Sequence, residues 1–559
     1  MNRLTSLIAC AFTLVFGTTM LRGASPTEQV KTVNGVVEGL RLSSGILSFR
    51  GIPFAAPPVG ELRWKAPQPV KDWSGVRSAL QFGQNCMQRP IYGNMGFRGP
   101  GMSEDCLYLN VWTPANSANE KLPVLVYFFG GGLQAGDGSE PRYDGESMAL
   151  KGIVSVTVSY RLTVFGFLAH PELTAEAPYH ASGNYGFLDQ HAALKWVQAN
   201  IAAFGGDPNR VTIGGQSAGS RSVSIQLVSP LSKDLIAGGI MESGSVVGAT
   251  DPPTLAEAEK DGLKFMGAAG ASTLKDLRDM PADKLLELTA PSDSARFGPV
   301  ADNYLLPTGS LVAYIAAGKA AHVPLLEGAN SQEQSYLTVL GENPVTAEGF
   351  AATVKKRYGP DADRILAAYP KVQTQDEVKE TAMTFGSEYP MGYNMWLYGD
   401  SFGKGSGKPV YRYLYSRPRH RFLGASNQLP GQAGGIITDA TAASKRPTDL
   451  GAAHSAEIEY ALGNLSTNTR FGWEPADYKL SQLMEDYFAN FIKTGDPNSS
   501  TEPKWPSYSS ATDFQIMHFN VESHAGPDAG LPHYKLFDQI LHVKQHGQNE
   551  MSDTNNSAK

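Results

Sequence analysis

The residues best suited to chemistry lie in Val211-Thr212-Ile213-Gly214-Gly215-Gln216-Ser217-Ala218-Gly219-Ser220. A β-branched run meets a Gly-x-Ser-x-Gly pentad, and a small-residue segment with helix character follows. Small residues at 215 and 219 allow a sharp turn between strand and helix, which would present the Ser217 hydroxyl at its tip. The Ala218 N–H comes next, at a helix N-terminus, where it can face a developing oxyanion. In a chain with 59 glycines the pentad alone would arise about half a time by chance, so its context matters. That context is a strand before the turn and a helix after it.

A serine hydroxyl needs a base, and the base needs an acid to orient it. At such an elbow the partners follow the serine in the order acid, then histidine. Among the later histidines His454 stands out, in Gly451-Ala452-Ala453-His454-Ser455-Ala456-Glu457-Ile458, where small neighbours make a loop and an apolar helix start follows. His518, His524, His533, His542 and His546 fall in a late, less structured region.

Several elements must position these groups. Val33–Gly39 and Phe49–Phe54 read as short strands of an N-terminal antiparallel hairpin, and residues 55–69 carry four prolines and no ladder. Leu107–Trp112 reads as a strand. Pro123–Phe129 and Ile153–Tyr160 are near-continuous apolar runs, as expected of strands buried on both faces. The first of them empties into Gly130-Gly131-Gly132. Residues 187–204 read as a helix with Leu194, Val197, Ile201 and Phe204 on one stripe, stopped by Gly205-Gly206. Strand, helix, strand, turn and helix make a parallel α/β unit. Further on, Leu255–Ala268, Thr273–Leu288 and Leu480–Phe491 read as helices, and Val323–Leu326 and Val410–Tyr415 as strands.

Composition bounds the rest. The chain has 559 residues, 42% of them hydrophobic, and a net charge of -7. No basic stripe is visible, which argues against a nucleic-acid partner. Residues 1–24 read as a signal peptide, with Arg3 before an apolar stretch from Leu7 to Leu21, so a secreted or periplasmic location is expected. Leu7-Ile8-Ala9-Cys10 resembles a lipobox, but too few residues precede it for lipid anchoring at Cys10 to be expected. No later apolar run is long enough to span a bilayer. Removing the leader leaves Cys86 and Cys106. In an exported chain this pair suggests one disulfide around a local loop, with two buried free thiols as the alternative. Residues 25–545 read as one catalytic domain with large insertions, and 546–559 as a polar tail.

The chain resembles the type-B carboxylesterases, the family that includes the cholinesterases. Phe204-Gly205-Gly206 through Gly215-Gln216-Ser217-Ala218-Gly219 matches the family's serine signature. Glu104-Asp105-Cys106-Leu107-Tyr108-Leu109-Asn110-Val111-Trp112-Thr113-Pro114 matches its second signature. The resemblance runs from about Val30 to Trp505-Pro506. It implies an α/β-hydrolase fold: a central, mostly parallel, twisted sheet flanked by helices. It makes Ser217 the nucleophile, His454 the base and Glu333 the acid, with Glu327 as rival, and it builds an oxyanion hole from the N–H groups of Gly131, Gly132 and Ala218. Cys86 and Cys106 would form the family's first disulfide. A small-molecule ester substrate is implied, with no metal, no cofactor and a monomeric or weakly dimeric state.

The departures bear on substrate. Phe129 stands where many relatives have His or Tyr, Gln216 where cholinesterases have Glu, Gln334 where Gly is usual, and Ser159 where Asn is common. Gly96 falls where the cholinesterase pattern has a tryptophan. Asp293 and Ala295 fall where those relatives narrow the acyl pocket with phenylalanines. Neutral or anionic esters with acyl groups larger than acetyl are therefore expected. A bulky natural-product, toxin or phenolic ester is the alternative substrate, and a catalytically silent binding protein the alternative class.

Overall fold

In the computed structural model, residues 27–290, 297–425, 427–431, 435–438 and 449–541 are described. The expected leader, Cys10, Asp293, Ala295, His542, His546 and the polar tail lie outside them.

The apolar runs become the centre of a 13-stranded sheet. Val154–Val158, Leu122–Phe128, Gly206–Gln216, Gly238–Glu242, Leu325–Asn330, Val410–Tyr415 and Gln515–Phe519 lie side by side, all parallel. Their residues are buried almost throughout, because helices cover both faces of the sheet. Antiparallel strands flank this block. Tyr108–Thr113 and Leu47–Pro53 join one edge and His524–Pro527 closes the other.

The strand Leu122–Phe128 lies between Val154–Val158 on one side and Gly206–Gln216 on the other. From it the chain first moves one way along the sheet and then returns the other way. Such a reversal opens a crevice beyond the carboxyl ends of the two strands involved. Gly130-Gly131-Gly132 follows one of these strands and Ser217 the other.

Two expected elements are corrected. The expected N-terminal hairpin forms, Val36–Arg41 pairing antiparallel with Leu47–Pro53, but its first strand starts only at Val36 and also pairs with Thr27–Lys31, so the stretch 33–39 contains a turn and is not one strand. Asn34-Gly35 is a strong turn dipeptide, and Thr32 N–H closes the turn on Gly35 O at 2.8 Å. The expected helix Thr273–Leu288 is two, Leu274–Asp279 and Ala282–Glu287, because Pro281 interrupts it. Leu255–Ala268 and Val410–Tyr415 form as expected. The helix expected at 187–204 is Tyr185–Asn200 followed by a tighter turn to Phe204, with Gly205 left-handed at its end.

Candidate active site

The elbow is built by close approach. Ser217 has φ 59° and ψ −118°, a strained conformation held from both sides. Its N–H bonds Glu242 O at 2.7 Å, and its carbonyl accepts from Arg221 N–H at 2.9 Å as the helix Ala218–Val228 begins. A side chain at Gly219 would run into the Phe128 carbonyl oxygen, so the elbow requires a glycine there. The strain leaves the Ser217 side chain only partly buried, at the carboxyl edge of the sheet.

The Gly130-Gly131-Gly132 loop is pinned from beneath. Phe129 stacks on Tyr160 with ring centroids 4.3 Å apart, and the Tyr160 hydroxyl donates to Phe129 O at 2.7 Å. Gly131 and Gly132 have φ of 117° and 67°. A Cβ at Gly131 would strike the Ala135 carbonyl. Among the described residues the Gly131 and Gly132 N–H groups have no acceptor, and the Ala218 N–H is one of the donors a helix start leaves unpaired. The Cys86–Cys106 disulfide closes a loop that brings Tyr92 over this turn, its hydroxyl 2.9 Å from where a Gly132 Cβ would lie. Asn94 and Ile436 exchange two backbone hydrogen bonds of 2.8 Å and fix the rim of that loop.

Glu333 and His454 meet because two loops are laced together. Gln332 N–H bonds Ala452 O at 2.8 Å, Ala452 N–H bonds Ser331 Oγ at 2.9 Å, and Asn330 Nδ2 donates to Ala453 O at 2.9 Å. Glu333 then places Oε2 2.5 Å from His454 Nδ1. Its Oε1 accepts from Ser243 Oγ at 2.6 Å and from Asn330 N–H at 2.7 Å, and Ser387 Oγ accepts from Glu333 N–H at 2.9 Å. Burial pushes the His454 imidazole down. The Glu333 carboxylate and its hydrogen bond, with Glu457 beyond, outweigh that, so its pKa lies above the ordinary value.

With Nδ1–H given to Glu333, the lone pair of His454 lies on Nε2, and Gln216 Nε2 approaches it at 3.4 Å. The Ser217 hydroxyl has no hydrogen-bond partner among the described residues.

Glu327 is elsewhere. It is fully buried inside the strand Leu325–Asn330, 2.5 Å from Arg412, and burial pushes its carboxyl up to about 7. Of the later histidines, His518 stacks on His524 at the sheet edge and His533 pairs with Glu388. Ser159 donates to the buried Asp137 at 3.2 Å.

Sequence reasoning missed a buried carboxyl layer behind the imidazole. Glu457 takes a hydrogen bond from Asn330 Nδ2, and burial, then the charge of Glu333, pushes it up to about 7. Glu242 accepts from Tyr127 at 2.9 Å and is raised well above the usual range by burial and by Glu457. Glu242 ends the parallel strand Gly238–Glu242 and Ser243 follows it, a placement at the carboxyl end that could have flagged them.

Beside the Gly130-Gly131-Gly132 loop opens a cavity of about 670 Å³, walled by Gly132, Phe167, Val246, Val247, Phe297 and Val300 among others. A strained serine, an acid-held imidazole and unpaired N–H groups, with a cavity opening at Gly132, can carry out acyl transfer.

Comparison with known proteins agrees. The model of the carboxylesterase family matches residues 26–531. The fumonisin B1 esterase of Sphingopyxis macrogoltabida is 35% identical over 542 residues, covering 94% of this chain and 93% of that one. The cholinesterase of Mus musculus is 32% identical over 530 residues, covering 89% and 85%. The crystal structure of the Geobacillus stearothermophilus carboxylesterase EST55 at pH 6.2 superposes with a TM-score of 0.74 at 28% identity, over 91% of this chain and 99% of that one.

Proposed function

The chain belongs to the carboxylesterase family and hydrolyses carboxylic esters, and from that premise we propose that Ser217 is the nucleophile, His454 the general base and Glu333 the orienting acid. The observation that carries this reading is the 2.5 Å bond between Glu333 Oε2 and His454 Nδ1, in an imidazole whose Nε2 lies 3.4 Å from Gln216, the residue before Ser217. Ser217 adds to the ester carbonyl while His454 Nε2 takes its proton. The N–H groups of Gly131, Gly132 and Ala218 receive the oxyanion, each worth about 2.7–4 kcal/mol of barrier in sites of this kind. His454 returns the proton to the leaving alcohol, and water then repeats the sequence on the acyl-enzyme. A catalytically silent binding protein would have lost one of these three side chains, and this chain keeps all of them. A phosphonate probe tests the assignment. It should label Ser217 alone, and labelling that persists in Ser217→Ala would refute it.

We propose further that the natural ester is neutral or anionic and carries a bulky acyl group, as in a natural-product ester. Support comes from the open cavity beside Gly132, from Gln216 in place of an acid, and from a relative that is named an esterase of fumonisin B1. Export is proposed as well. The Cys86–Cys106 disulfide suits an oxidising compartment, and no helix among the described residues is long and apolar enough to cross a membrane.

A further inference from the structure

The cavity beside the oxyanion loop contains a cation that the acyl-transfer scheme leaves unused. Arg221 lies four residues beyond Ser217 on the helix Ala218–Val228, about one turn or 6 Å along it, and its side chain lines the cavity. It is the one basic residue among the described lining. Other enclosed arginines of the molecule have carboxylate partners: Arg142 with Glu140 at 3.1 Å, Arg161 with Asp189 at 2.7 Å, Arg412 with Glu327 at 2.5 Å. Arg221 has none among the described residues.

Arg221 is reached by solvent, and the protein packed around it still pushes its pKa down through desolvation. A side chain reached by solvent only from inside a deep cleft has both properties. A guanidinium held there without a counter-charge costs free energy until a ligand brings an anion. The two acids of the cavity do not fill that role. Asp251 accepts from Leu311 N–H at 3.1 Å and Asp261 pairs with Lys264 at 2.8 Å, both on the exposed rim.

The position also selects which half of an ester enters. Gly132 and Arg221 line this cavity, whereas Ser217, His454, Glu333 and Gln216 lie outside its lining. The leaving alcohol must stay within reach of the imidazole that protonates it, so the acyl half occupies the Arg221 side.

We propose that Arg221 is a specificity-determining residue that receives a free carboxylate on the acyl group, which makes esters of di- and polycarboxylic acids the substrate class. The planar guanidinium fork takes a carboxylate through two parallel hydrogen bonds. The bond broken is that between the acyl carbon and the alkoxy oxygen. The alcohol leaves with the proton from His454, water supplies the oxygen and proton that restore acid and enzyme, and nothing is oxidised or reduced. The proposal rests on the reading of Ser217 and His454 as nucleophile and base.

The test compares monoethyl glutarate with ethyl valerate by pH-stat titration in wild type, Arg221→Gln and Arg221→Lys. The readout is the ratio of kcat/KM for the acid ester over the neutral one. Wild type should favour monoethyl glutarate. The ratio should fall about tenfold or more in Arg221→Gln, and less in Arg221→Lys, which keeps the charge without the fork. A wild-type ratio below one, or a ratio that Arg221→Gln leaves unmoved, overturns the proposal while the Ser217 assignment stands. Hydrolysis of both esters that persists in Ser217→Ala would instead sink the underlying reading. Should Arg221→Gln fail to fold, inhibition of the wild type decides: glutarate should compete at lower concentration than valerate, and equal inhibition refutes the idea.

Discussion

Glu333 and Glu327 stand six positions apart, yet one meets the His454 imidazole at 2.5 Å and the other is locked to Arg412 at 2.5 Å. Their substitutions should therefore fail in different ways. Glu333→Gln should lower kcat on the scale of about 10⁴, because an amide no longer holds the imidazole in its working tautomer. Glu327→Gln should keep the turnover of its folded fraction but lose about 3 kcal/mol or more of stability, since it strips Arg412 of its nearer carboxylate. Asp528, 3.7 Å from Arg412 Nε, softens that loss. Steady-state kinetics beside chemical denaturation separates the two outcomes, and the reverse ranking would move the acid to Glu327.

The hydroxyl of Ser243 supports the same acid. Ser243→Ala leaves Glu333 Oε1 with only the Asn330 N–H, removing a 2.6 Å bond to a buried carboxylate. Such a bond contributes about 1.5–3 kcal/mol, so kcat should fall about 10- to 100-fold with KM little changed. A rise in KM at constant kcat would show that Ser243 serves substrate binding instead.

The acidic layer behind the imidazole predicts a pH signature. Glu457 titrates near 7 in the fold, above its ordinary range. A group whose folded pKa is raised contributes fully below its unfolded pKa, and that contribution is lost as pH rises through the folded value. Wild type should therefore lose stability between about pH 4.5 and 7 through this residue, and Glu457→Gln should not. The variant's thermal midpoint should exceed that of wild type at pH 8 and converge on it toward pH 4.5. The Glu457 charge also raises the His454 pKa, so the acid limb of kcat/KM should move to lower pH in Glu457→Gln. A limb that moves upward would contradict this electrostatic account.

These residues also mark what the sequence conveys. The elbow is legible because a β-branched strand, two glycines and a small-residue helix start each leave a local signal. The parallel core is legible because strands buried on both faces are apolar without alternation. The pairing of Glu333 with His454 is not local. It depends on lacing between the loops around Asn330–Glu333 and Leu450–Ala453, which resemblance can supply and periodicity cannot. Ser243, Glu457 and Arg221 act across space on groups far away or one helical turn off, so their roles emerge only when the strand ends converge. The turn at Asn34-Gly35 and the break at Pro281 are the reverse case, where a local signal outweighs the longer pattern around it.

The disulfide should matter for both stability and rate. It spans 20 positions, and closing such a loop contributes about 3 kcal/mol in the chain-entropy model. The Cys86→Ser/Cys106→Ser variant should melt at lower temperature. It should also lose turnover, because the loop carries Tyr92 over Gly132. A variant with the wild-type kcat but a lower midpoint would separate the loop from the oxyanion turn.

The last prediction concerns cations. A quaternary ammonium binds ring faces and negative charge, and the site offers neither in the expected place. Gln216, a neutral amide, approaches His454 where a cholinesterase has an acid. Gly96 supplies no ring, and Arg470 Nη2 lies 3.1 Å from where its Cβ would be, so a positive charge stands beside that position. Phe97, the next residue, is half-buried against Met95 and Ala135, which occupies part of its ring. Butyrylcholine should therefore be hydrolysed no better than 3,3-dimethylbutyl butyrate, its uncharged carbon isostere, when kcat/KM values are compared at low and high salt. Repulsion from Arg470 would make the cation the poorer substrate, and the deficit should shrink as salt screens it. A tenfold preference for butyrylcholine, about 1.4 kcal/mol of differential transition-state binding, would mean that the site presents a cation-binding surface these residues do not account for.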